Sequence, residues 1–131
     1  MAPQGLQTVE SRHGPEETLS RLEAAIAAKG LTLFAKIDHA AGAAEVGLAL
    51  RPTVVLLFGN ARGGTPLMQA AQTMGIDLPL KMLVWQDETG RTWLSYNLPA
   101  WLAERHGAAS VAGPVAAMTA LLAALADGVA A

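Results

Sequence analysis

Apolar positions along the chain recur with two different periods, and the switches between them mark out the elements. From Pro15 to Gly30, Leu19, Leu22 and Ile26 form a stripe at helical spacing. Gly14, Pro15, Glu16 and Glu17 give this helix a start suited to its dipole, and Gly30 a stop. The pattern then changes to alternation. In "LTLFAKID", Leu31, Leu33, Ala35 and Ile37 fall on one face and Thr32, Phe34, Lys36 and Asp38 on the other, which predicts a half-buried strand. "HAAGAAEVGLAL" follows as a short helix of small residues. "TVVLLF" is continuously apolar and predicts a strand covered well by its neighbours, near the sheet centre.

The segment "FGNARGGTPLM" links that strand to another helix, with Thr65 expected as N-cap, Pro66 in the first turn and Gly75 as the end. "LPLKMLVWQDETGRTWLSYN" reads as a hairpin, two alternating runs around a turn whose Gly90 can take a positive φ. A short helix spans "LPAWLAERHG", and an alanine-rich one runs from about Pro114 to Asp127. Strands and helices mix without strict βαβ alternation. The class is therefore α+β with a largely antiparallel sheet, in a single domain covering residues 1–131.

Composition narrows the function. With 131 residues, 52% of them hydrophobic, the chain can fill one core. Its nine Lys and Arg are scattered and its net charge is −2, which argues against a nucleic-acid partner. The absence of cysteine removes thiolate catalysis, thiolate metal sites and disulfides. The N-terminus has neither a basic start nor a long apolar run, so a cytoplasmic location is expected. The most apolar stretch, Val115 to Ala126, is shorter than the roughly 20 residues of a spanning helix, so no membrane partner is expected.

The glycine-rich loop is the best candidate for chemistry. Gly59 and Gly64 have the separation of a nucleotide-binding loop, but Thr65 and Pro66 stand where lysine and a hydroxyl residue are needed, and the dinucleotide fingerprint fails too. Two readings remain open: free amides at Gly63 and Gly64 could hold a small anion with help from Arg62 or Lys81, or the glycines could simply permit a tight connection.

"KGLTLFAKIDHAAGAAEVGLAL", "PTVVLLFGN", "GTPLMQAA", "IDLPLKMLVW" and "SYNLPAWLAERHG" together resemble the DUF302 family, small domains of unknown function. The likeness runs from about Val9 to Gly107, with Ala61 in place of the family's proline after Gly-Asn. The resemblance implies an α+β fold with a curved, mainly antiparallel sheet backed by helices in a single two-layer domain, dimer formation, and no known reaction. By position it draws attention to Asp38, His39, Asn60, Gly64, Thr65, Lys81 and Tyr96.

The polar residues carry bland alternatives as well. His39, beside Asp38, could be a general base or a ligand to a metal or haem, or could cap local backbone; His13 and His106 are expected to face solvent. Lys81 interrupts an apolar strand and needs a partner, for which Asp38 is the structural candidate and an anion the functional one. No spacing of His and carboxylates points to a metal. The leading expectation is a pocket for a small molecule or anion at the strand ends, lined by His39, Asn60, Gly63, Gly64, Thr65, Lys81 and Tyr96. The alternatives are an enzyme with His39 as base, and a structural module. No cofactor is specified. Excess apolar surface predicts a homodimer, through the hairpin's aromatic side or the last helix, with Leu122 as the residue to test.

Overall fold

The computed structural model describes residues 2–131. In chain order the elements are β1 (Leu6–Ser11), α1 (Pro15–Ala28), β2 (Thr32–Asp38), α2 (His39–Glu45), β3 (Thr53–Gly59) and α3 (Ala61–Ala70). A 3₁₀ turn (Gln72–Ile76) follows, then β4 (Leu80–Gln86), β5 (Thr92–Asn97), α4 (Pro99–His106) and α5 (Ala112–Ala130). The strands form one antiparallel sheet in the order β1-β5-β4-β3-β2. The fold is α+β in a single domain.

Alternation along the inner strands sorts the two faces. Val54, Leu56 and Phe58 of β3, Leu80, Met82 and Val84 of β4 and Leu94 and Tyr96 of β5 are buried together with Leu22 and Ile26 of α1 and Met118, Leu122 and Leu125 of α5. The core thus lies between one face of the sheet and the two long helices. On the other face Val55, Lys81, Leu83, Trp85 and Trp93 are only partly covered, and α2 touches this sheet at β3. Trp85 and Trp93 sit opposite each other on β4 and β5 and stack, with ring centroids 6.2 Å apart.

Four sequence expectations change. Strand β1 was not anticipated: "LQTVES" has little apolar alternation and is held as an edge strand by pairing with β5, including a 2.8 Å hydrogen bond between the Thr8 and Ser95 hydroxyls. Strand β2 is the opposite edge rather than a half-buried strand. A register shift between Leu33 and Ala35 breaks its alternation, leaving Phe34 57% and Ile37 43% exposed. Strand β3 is an interior strand, but its burial alternates because one face of the sheet lacks a helical layer. Finally, α5 extends over 19 residues, beyond Pro114–Asp127 at both ends, and is long and apolar enough to cross a membrane by length and composition. In this fold Met118, Leu122, Leu125, Ala126 and Val129 turn into the core, and Ala116, Ala120, Ala124 and Gly128 face outward.

The hairpin turn was legible in detail. Gly90 has φ +87°, and the Asp87 carboxylate accepts from the Thr89 hydroxyl and amide, the Arg91 amide and the Trp93 indole N–H. The Thr89 hydroxyl and the Trp93 indole, joined by the two amides, hold the Asp87 carboxyl far below the ordinary carboxylate range. A depressed folded-state pKa contributes stability that is present above the unfolded value of about 3.9 and is lost only as pH falls through the folded value. The turn should therefore keep its amide protection down to about pH 3. In Asp87→Ala the Thr89 and Arg91 amides should exchange freely at every pH, and equal protection in the two proteins by hydrogen exchange would refute this account.

Candidate functional site

The junction between β3 and α3 is built differently from its sequence expectation. Helix α3 begins at Ala61, with Asn60 rather than Thr65 as its N-cap, so Gly63, Gly64, Thr65 and Pro66 lie inside the helix. Asn60 is the stronger cap because its short amide reaches the third helical amide, and Oδ1 accepts from Gly63 N–H at 2.7 Å. The Gly64 N–H donates to the Asn60 carbonyl at 3.3 Å. Both amides envisaged as anion donors are thus already engaged. Arg62 is exposed and does not line the adjoining cavity.

That cavity has a volume of about 330 Å³. Asn60, Gly63, Gly64 and Thr65 form one wall; Phe58 and Gly59 close the strand end, and Phe34 enters from the β2 irregularity. Met68, Leu78, Pro79, Leu80, Met118 and Leu121 supply most of the remaining lining, which carries no charged residue. A Cβ at either helical glycine would meet only ordinary van der Waals contacts, so packing alone does not demand glycine here. A Cβ at Gly64 would meet Leu78 at 3.5 Å, and one at Gly63 would stand 3.9 Å from Met118 Cε. Met118 and Leu121 escaped the sequence reading because helical spacing says only that they are apolar, not which wall they complete.

The other three expected residues lie elsewhere. His39 and Lys81 border a second cavity, of about 460 Å³, on the open face of the sheet with Leu6, Val55, Leu83, Trp85 and Asn97. Tyr96 contributes to that border but pairs with Met82 on the core side, where its side chain is buried. Burial, reinforced by the Asp127 carboxylate, raises the Tyr96 phenol pKa. The seven candidates therefore divide between two cavities rather than meeting in one.

Lys81 does not pair with Asp38. Its ammonium donates to the backbone carbonyls of Asp77 at 3.1 Å and Pro79 at 2.9 Å, and partial burial lowers its pKa, opposed by the nearby Asp77 carboxylate. Asp38 instead accepts from the Ala41 amide as the N-cap of α2 and borders a groove along α1. The exposed His39 is the first residue of α2, and the Asp38 carboxylate is committed to the Ala41 amide rather than to the imidazole.

The two histidines expected in solvent are both tethered. His13 Nε2 lies 2.9 Å from the Ala131 carbonyl oxygen. His106, with only 8% of its side chain exposed, is bonded through Nε2 to Asp77 and through Nδ1 to the Thr73 hydroxyl at 2.8 Å. Arg105 adds two bonds to the same Asp77 carboxylate, at 2.9 and 3.2 Å. This cluster ties the 3₁₀ turn to α4, directly before the Leu78–Pro79 wall of the first cavity. None of the four lines either cavity or the groove along α1; Arg105 borders a separate shallow cleft with Trp101 and Glu104. Among the described residues no group of three or more His, Asp or Glu is placed to hold a metal.

Comparison with known proteins places these features in context. The chain is 51% identical over 102 residues to "Fluoride-specific ion channel FluC 1" of Brucella suis, covering 78% of this chain and 40% of that protein. The same identity holds over 102 residues of the Brucella abortus protein with that name, 38% of its length. The chain thus spans about two fifths of the curated relatives it matches. These relatives overturn the cytoplasmic location expected from the N-terminus, because an ion channel is a membrane protein. Among solved structures, the "uncharacterized conserved protein DUF302" from Bacillus stearothermophilus superposes with a TM-score of 0.85 at 25% identity, over 95% of this chain and 98% of that one. The family model described as "Domain of unknown function DUF302" matches residues 7–126, which brings β1 and most of α5 inside the family's own limits. The chain belongs to the DUF302 family.

Proposed function

We propose that this chain is a small-molecule-binding domain whose site is the cavity between the β3–α3 junction and α5, and that it acts beside a membrane ion channel. The observation that carries the binding reading is the uncharged lining of a cavity of about 330 Å³, within the range of small-molecule pockets. An uncharged, compact ligand fits it better than an anion, since the Gly63 and Gly64 amides are engaged by Asn60. An apolar cavity of roughly 150 Å³ already suffices for benzene. The channel setting rests on the relatives named as fluoride channels. A catalytic role for His39 has less support, because the Asp38 carboxylate is engaged as the N-cap of α2.

Toluene is a suitable probe. Its titration should shift the methyl resonances of Met68, Met118 and Leu121, and Leu121→Trp, which fills the cavity from its rim, should weaken binding at least about tenfold, equivalent to about 1.4 kcal/mol. Unshifted methyls at saturating toluene would end the binding reading. The channel setting is tested by exchanging this chain for the matching stretch of the Brucella suis protein and measuring fluoride efflux from liposomes. Efflux should then respond to toluene, and Leu121→Trp should abolish the response. An unresponsive flux with toluene bound would remove the channel from the proposal and leave the binding site standing.

A further inference from the structure

The cavity on the open face of the sheet has a different chemistry from the first. Its floor is apolar, formed by Val55 of β3 and by Leu83 and Trp85 of β4. Lys81 supplies a cation at one end, with Asn97 and Leu6 nearby in the same lining, and no acidic residue lines it. Two of the three ammonium donors of Lys81 are taken by the carbonyls of Asp77 and Pro79. The third has no acceptor among the described residues. The nearest acid cannot serve as one without loss, because the Asp77 carboxylate is already bonded by Arg105 and His106.

We propose that this face binds an amphipathic monocarboxylate, with its carboxylate on the remaining Lys81 N–H and its apolar body along Val55, Leu83 and the Trp85 indole. The site is separate from the one proposed above. A half-buried cation without an anionic partner is costly, and an incoming carboxylate supplies the missing acceptor while its tail covers apolar side chains that are only partly covered. From Lys81 to Trp85 is four residues of extended strand, roughly 13 Å, enough for a chain of medium length. One free donor suits a single carboxylate better than a phosphate, which needs several. Lys81 burial, which lowers its pKa, acts in the same direction, because the ligand would restore stabilisation that the charged form lacks.

Octanoate is the probe. Nuclear Overhauser contacts from its methylenes should fall on Val55, Leu83 and the Trp85 indole, and octanol and octylammonium should each bind at least about tenfold more weakly, the range of a hydrogen bond to a charged group. Lys81→Met should cause a loss of similar size. Because that substitution also removes the bonds to two carbonyls, a second variant, Val55→Trp, blocks the floor with Lys81 intact and should abolish binding as well. Contacts to Met118 and Leu121 instead, equal binding of octanol, or no binding up to millimolar octanoate would each overturn the proposal. The toluene result at the other cavity stands independently of all three.

Discussion

Leu122→Lys should unfold the protein or come close to it. In sequence Leu122 sits in an alanine-rich helix as one of several large apolar groups and invites the reading of a dimer contact. In the fold it is 1% exposed, on the core side of α5. Truncating a fully buried leucine costs about 2–5 kcal/mol, and a lysine adds the penalty of an ammonium among apolar groups. A loss of about 5 kcal/mol removes much of the 5–15 kcal/mol typical of a domain. Chemical denaturation with light scattering on the same samples decides the matter. The expected result is a large fall in midpoint or an insoluble protein, whereas a normally folded variant with half the wild-type mass would return Leu122 to an interface. Ala120→Lys, on the outward stripe of the same helix, serves as the control and should be nearly neutral.

Asp77→Ala should have the next largest effect, and through it the two ends of the site wall are tested together. The Asp77 carboxylate is 16% exposed and holds Arg105 and the largely buried His106, tying the 3₁₀ turn to α4. Exposed arms of such clusters contribute little, since water screens them, and the partly buried His106 bond carries most of the cost. We expect roughly 2 kcal/mol of destabilisation in thermal melts. We also expect faster amide exchange across residues 72–77. Because Leu78 and Pro79 follow directly and form part of the first cavity, toluene affinity should drop severalfold as well. Unchanged exchange in the turn, whatever the melting temperature, would show that other packing fixes this wall. His106→Gln, which keeps a hydrogen-bonding group in the same place, should recover more of the stability than His106→Ala.

These effects depend on placements that sequence periodicity conveys unevenly. Helix α1 was legible because a three-residue stripe between Pro15 and Gly30 reports both its burial and its ends. The β4–β5 hairpin was legible because turn chemistry is local: Asp87 and Gly90 carry their own geometry. Strand β1 was not, since an edge strand needs little apolar alternation when a neighbour supplies the pairing. The start of α3 was misplaced because Thr65-Pro66 has the chemistry of a helix start and the glycine pair disguised the turn that Asn60 caps before it. Similarly, His106 reads as a solvent-facing end of α4 until a carboxylate 29 residues away is brought against it.

By itself the sequence determined the class of the fold, its family and the polar side chains worth attention, because hydrophobic period, turn residues and ordered blocks are properties of neighbours along the chain. Only the tertiary structure decided that those side chains divide between two cavities. Asn60, Gly63, Gly64 and Thr65 meet Met118 and Leu121 because α5 returns across the strand ends, whereas Lys81 joins His39 on the other face because successive residues of a strand point in opposite directions. Contacts between residues far apart in sequence are set by how helices pack on the sheet and which face they cover, and no local pattern records that choice.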